Sequence, residues 1–236
     1  MSVILKVEEL LDDIEEWYSE IDEKVEETLD QVYKKIPGRF FGITGLIVYA
    51  FSTFTAVILY LSVDPSYSIF THWISHLGDG PNGANYVFNF GWIISSFILF
   101  FFYVHEIREL RDNKVKERYL DLLSLTSLSF ALGVLLVGIF PLHLGILHAA
   151  VAVIYFAGGF GFTMIYGIIV LNHSKIPNLL ALAAFTTAIA YLVYFFSPII
   201  NSITLNLGMP MNPFFLEWST LIAEFLFILT ITIIEL

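Results

Sequence analysis

The chain has 236 residues, 57% hydrophobic and 14% charged, with a formal net charge of −11. That balance excludes a soluble fold, and the absence of Cys excludes disulfides and thiolate metal sites.

Residues 1–36 carry twelve acidic and four basic side chains and so hold −8 of the net charge. They lack the apolar core and small-residue cleavage site of a secretory signal. Apolar or weakly polar residues recur at Ile4, Val7, Leu11, Ile14, Tyr18, Ile21, Val25, Thr28 and Val32, alternating steps of three and four as a heptad seam does. The spacing predicts an acidic cytoplasmic amphipathic helix over residues 1–37. It would pack on the protein's own inner face, stay solvated, self-associate as a coiled coil or bind a cytoplasmic protein; lying on lipid is opposed by repulsion from anionic headgroups. Pro37 and Gly38 end it, and a membrane domain over 38–236 follows.

Six apolar segments run through that domain: Phe40–Leu61, Asn85–Tyr103, Leu120–Phe140, Leu147–Leu171, Leu179–Phe196 and Phe214–Ile234. Each is near the roughly 20 residues that cross a bilayer as helix. All eleven Lys and Arg fall on one side: Lys6, Lys24, Lys34, Lys35 and Arg39, then Arg108, Arg111, Lys114, Lys116 and Arg118, then Lys175. Because cytoplasmic loops retain Lys and Arg, both termini are expected in the cytoplasm of a multi-pass plasma-membrane protein. The predicted fold is an all-α integral membrane protein, a six-transmembrane-helix bundle with that N-terminal amphipathic helix and a short outer interfacial helix. A single Gln, Gln31, resembles the depletion of thermolabile residues in thermophiles, although lipid exposure alone enriches apolar residues.

The outer connections hold four of the six His. Between the first two segments an interfacial helix is expected over Ser66–Leu77, ended by Gly78. In such a helix His72 and His76 share a face, with Asp79 folding back toward it, and two imidazoles so spaced beside a carboxylate could bind zinc. His143 falls in the tight connection after Pro141, and His148 at the start of the fourth segment is the better third ligand. Interfacial imidazoles bonded to backbone or water are the plain alternative. Asn82, Asn85 and Asn89 advance at helical spacing into the second segment, with Ser96 beyond. In the sixth, Glu217 and Glu224 are seven apart and share a face, Glu224 lying roughly 15 Å below the outer boundary at helical rise. A carboxyl at that depth faces the bundle interior, either as a proton-accepting or ion-binding group at the floor of an outward cavity or as a helix-packing hydrogen bond. The expected pocket uses the first outer connection and spans two, four and six.

The stretch Pro65-Ser66-Tyr67-Ser68, then Ile74-Ser75-His76-Leu77-Gly78, Phe88-Asn89-Phe90-Gly91, Gly138-Ile139-Phe140-Pro141, and His148 with Phe156 eight residues on, resembles the domain-of-unknown-function 998 family. These are six-span archaeal and bacterial proteins, distantly akin to the eukaryotic DRAM/Sfk group, with no established activity. The resemblance covers about residues 39–236. It implies that Ser75, Leu77, Gly78, Asn89, Pro141 and His148 stand at shared positions, whereas His72 and His143 do not, and position 76 has His where the family commonly has an acid.

Three functions are consistent with these residues. The first is a metal-assisted hydrolase or transferase on membrane lipid or a lipid-linked group, with His72, His76 and His148 on zinc, Asp79 or Glu217 as general base and Ser75 orienting substrate. The second is a non-enzymatic solute, lipid or proton carrier using Asn85, Asn89 and Glu224. The third is a structural subunit. Haem between His76 and His148 and the inner His105 and His173 is disfavoured, because the inner pair sits beside Glu106 and Asn172 outside the apolar spans. Nucleic acid is excluded as a partner: there is no glycine-rich phosphate loop, and the run Arg108–Arg118 alternates with Glu109, Asp112 and Glu117.

Overall fold

The computed structural model describes residues 17, 20, 21, 23–204 and 211–234. The chain divides into two compact units, Met1–Pro37 and Gly38–Leu236. In the first, residues 23–35 are helical. Ile21, Val25 and Thr28 of the expected seam are exposed and Val32 is half-buried, while Ile4, Val7, Leu11, Ile14 and Tyr18 lie outside the described residues. An exposed Lys24–Glu20 pair at 3.8 Å adds little stability.

The second unit holds six helices long and apolar enough to cross a membrane: Gly38–Leu61, Ala84–Asp112, Glu117–Ile139, Ile146–Leu171, Asn178–Phe195 and Pro213–Ile234, called here the first to sixth spans. Pro177 and Pro213 stand at helix starts, where a missing N–H costs nothing. The second span outruns its apolar segment by nine residues, from Tyr103 to Asp112. Charge ended the hydropathy pattern there, but straight-chain Glu and Arg are good helix formers and the helix continues. A further helix, Ser197–Thr204, follows the fifth span.

Each span packs against its chain neighbours, and the sixth returns to the first, closing a ring. Large aromatics fill it: Tyr49, Phe88, Trp92, Tyr103, Phe130, Phe162, Tyr166, Tyr191 and Phe227 are each 3% exposed or less. Edge and tilted contacts recur, as between Tyr49 and Trp92 at 4.7 Å. Small residues let backbones approach this closely: a Cβ on Gly133 would lie 2.4 Å from the Cα of Tyr155, and one on Gly158 2.6 Å from the backbone N of Phe130. Outward, Phe51, Leu125, Leu182 and Ile233 are exposed, an apolar exterior suited to lipid.

The connection from the first to the second span forms no long helix. Asp64 instead accepts from the backbone N–H and hydroxyl of Ser66 (3.0 and 2.7 Å), and Thr71 donates to the Ser66 carbonyl. These short polar side chains satisfy a turn in place of the predicted helix, and only Ile74–Asp79 is helical, as a tight 3₁₀ segment. That segment packs against the first, second and sixth spans and a second short 3₁₀ turn, Leu142–Leu144.

Candidate functional site

The 3₁₀ segment is fastened at three points. Asn89 of the second span donates to the carbonyl of Gly78 at 3.0 Å. A Cβ on Gly78 would come within 2.9 Å of Asn89 Oδ1 and 3.6 Å of Pro141, and one on Gly138 within 2.8 Å of the Asn89 carbonyl. The short motifs quoted above therefore meet at one junction. Asp79 ties the connection between the first two spans to the one between the third and fourth, its carboxylate receiving the backbone N–H of His143 and facing the His143 ring, both at 2.6 Å. The third point is Glu217, buried in the first turns of the sixth span, whose Oε2 accepts from the backbone N–H of Ile74 at 2.7 Å.

Beside Ile74 a groove of about 570 Å³ opens between the connection joining the first two spans, the fourth, fifth and sixth spans and the helix Ser197–Thr204. Its walls are largely apolar and include Trp73, Ala152, Phe156 and Tyr194; Ser75, His148 and Glu217 supply polar groups. Those three residues, with Ala152 and Phe156, also line a narrow inward extension toward Trp92, Tyr155 and Thr220 on the second, fourth and sixth spans. The expected spans two, four and six thus meet at the extension, whereas the fifth span shapes the mouth.

His148 is 8% exposed, and its Nδ1 lies 2.7 Å from the carbonyl of Phe140. A carbonyl only accepts, so Nδ1 carries the proton, and Nε2 has a lone pair in the neutral ring. Neither Nε2 nor the Ser75 hydroxyl has a hydrogen-bond partner among the described residues. Past the extension, the hydroxyls of Tyr155 and Tyr191 both donate to Glu224 Oε2, at 2.6 and 2.9 Å, while Glu224 Oε1 is buried without a partner.

The other predicted residues lie elsewhere. His72 and His76 are edge-on at 5.3 Å between ring centroids and do not line the groove that holds His148. His72 Nδ1 meets the Thr71 hydroxyl at 2.8 Å, and His76 Nδ1 accepts the Trp73 backbone N–H at 2.9 Å. Among the described residues no three His, Asp or Glu side chains form a group that could hold a metal ion. Asp79 is engaged with His143, and Asn85 is half-buried outside the groove wall. Asn82 precedes the helix in a left-handed conformation (φ 54°) and donates to Ser62, so it does not belong to the stripe. Residues that sequence reasoning did not single out include Trp73, Ala152, Tyr155, Tyr191 and Tyr194. Tyr155 stands seven residues after His148, and that helical spacing was a readable signal.

Burial holds the His76 imidazole below its ordinary value, against the pull of the Trp73 carbonyl, 3.3 Å from Nδ1, which favours the protonated ring. The folded protein therefore binds fewer protons here than the unfolded chain, and stability rises with pH. As pH falls below about 6.5, the ordinary imidazole value, the contribution shrinks until the folded pKa is passed. Thermal unfolding between pH 5 and 7 should show this slope, and His76→Gln should flatten it; an unchanged slope refutes the assignment.

Fold and site together define a polytopic helical membrane protein, a ring of six spans with an apolar groove, beside the connection between the first two spans, that includes Ser75, His148 and Glu217. The chain belongs to the family described as Protein of unknown function (DUF998), whose profile matches residues 45–232. No curated protein and no solved structure matches it.

Proposed function

We propose that the groove binds an amphipathic lipid or lipid-linked molecule and acts on it as a hydrolase or transferase. The observation that carries this reading is the division of the groove into apolar walls and one polar patch, Ser75, His148 and Glu217. The apolar part of the ligand lies along Ala152, Phe156 and Tyr194, and the head meets the patch. There His148 Nε2 takes a proton from water or an acceptor hydroxyl as its oxygen attacks the linkage, then returns the proton to the departing alcohol. Ser75 and Glu217 hydrogen-bond the head.

Confinement of Lys and Arg to one end supports a cell-membrane location with cytoplasmic termini, so that the groove opens toward the outer leaflet. The exposed Ile21 and Val25 support contact of the N-terminal helix with a protein partner or second copy. A second reading, proton or small-solute binding at Glu224, is favoured by its unpartnered Oε1.

Ala152→Trp tests the binding step by filling the groove. Gently purified wild-type protein should retain lipid at near-unit stoichiometry by native mass spectrometry, and the variant should lose at least tenfold of it. Equal retention by a folded variant refutes the reading.

A further inference from the structure

A second cavity, of about 370 Å³, lies at the opposite, basic end, between the link joining the second and third spans and the end of the fourth. Lys114, Lys116, Tyr119, Asn172 and His173 supply its polar lining, and Ile168 is among its apolar residues.

The link is shaped to present its lysines. Lys114 sits in the left-handed region (φ 67°), held by backbone bonds from its own N–H to Arg111 and from Val115 to Leu110. A non-glycine residue there is uncommon, and the turn places two lysines, separated by one residue, beside the cavity. The alternation of acids with bases in this run does not neutralise them. Glu117 pairs with Arg111 at 3.5 Å and Glu109 lies 4.0 Å from the His105 ring. Asp112 is exposed on the last residue of the helix, and neither Lys114 nor Lys116 has an acidic partner among the described residues.

His173 adds the most specific observation. Its Nε2 lies 2.8 Å from the carbonyl of Asn113, which can only accept, so Nε2 donates. Its Nδ1 is buried with no partner. Turned toward the cavity, that nitrogen would accept from a P–OH group when the ring is neutral and donate to a P–O⁻ oxygen when it is protonated. The Tyr119 hydroxyl already accepts from Arg118 at 3.1 Å, which leaves its own proton to donate. Lys114, Lys116 and Tyr119 therefore bring two ammonium groups and a phenol to one space whose wall includes His173, a donor set that a phosphate with several acceptor oxygens satisfies.

We propose that this cavity binds a phosphate group, carried by an anionic lipid headgroup or by a soluble phosphate ester. The site is independent of the outer groove. Leu171 and Ile168, both exposed next to it, offer apolar surface for the chains of a lipid bearing that phosphate.

The test uses full-length protein, delipidated in neutral detergent and titrated separately with phosphatidylglycerol, phosphatidylcholine and glycerol phosphate, with binding read by native mass spectrometry. The variants are Lys114→Asn with Lys116→Gln, Asn being tolerant of the left-handed backbone, and His173→Gln, whose amide still donates to the Asn113 carbonyl. Phosphatidylglycerol should bind more tightly than phosphatidylcholine, and the double lysine variant should weaken it roughly thirtyfold, given the attraction contributed by each basic residue near a membrane surface. His173→Gln should weaken it about tenfold, the effect of losing one hydrogen bond to a charged group. If glycerol phosphate binds with the same variant dependence, the phosphate source is soluble; if only phosphatidylglycerol does, it is lipid. Binding of both probes unaffected by every variant overturns the proposal.

Discussion

His148→Asn should lower turnover of a lipid substrate by about 10²–10⁴-fold while leaving lipid binding within a few-fold of wild type. The choice of Asn follows from the geometry. His148 Nδ1 donates to the Phe140 carbonyl at 2.7 Å, and that bond ties the start of the fourth span to the end of the third. The Asn amide can donate to the same carbonyl but has nothing at the position of Nε2. His148→Ala would remove both functions and confuse a lost base with a loosened helix end. The reaction is followed by mass spectrometry of products released from a glycerophospholipid panel and a fluorogenic long-chain ester, with protein in lipid nanodiscs. Turnover by His148→Asn equal to wild type removes His148 from the chemistry.

The second large effect is on stability. Glu217→Ala should lower the melting temperature because the buried N–H of Ile74 loses its acceptor. An unsatisfied buried donor costs about 1–3 kcal/mol, or roughly 2–12 °C for a chain of this length. Glu217→Gln keeps a carbonyl oxygen for Ile74 and should retain most of the stability while removing the carboxylate from the groove. The pair separates two roles of one side chain: the Ala variant detaches the 3₁₀ segment carrying Ser75, whereas the Gln variant keeps that bond and removes only the acid group. If Glu217→Ala melts with wild type, the bond to Ile74 does not hold the 3₁₀ segment in place.

The bundle was legible because lipid imposes a coarse requirement: about 20 apolar residues per span, and basic residues gathered on one side. The burial of Glu217 and Glu224 was legible for a related reason, since residues seven apart share a helix face and carboxyls are costly in lipid. The connection between the first two spans was not. Its aromatic-rich stretch suggested an interfacial helix, but Ser66, Ser68 and Thr71 bond locally, and Tyr67 and Trp218 cover the backbone around His72 and Trp73. Turn chemistry of that kind depends on which side chains find partners across the fold. The pairing of Asp79 with His143, and of Glu224 with Tyr155 and Tyr191, joins residues from separate elements, which one sequence does not connect. His148 could be named in advance, but its fixed tautomer could not, because the acceptor is a backbone carbonyl eight residues earlier.

The most direct test of the groove uses a lipid analogue carrying a photoreactive diazirine in its head, cross-linked to the protein in nanodiscs and mapped by peptide mass spectrometry. The groove reading predicts labelling concentrated in the peptides containing Ser75 and His148, and abolished by Ala152→Trp. Label distributed over lipid-facing positions such as Phe51, Leu125 and Leu182, with no excess at Ser75 or His148, would contradict it.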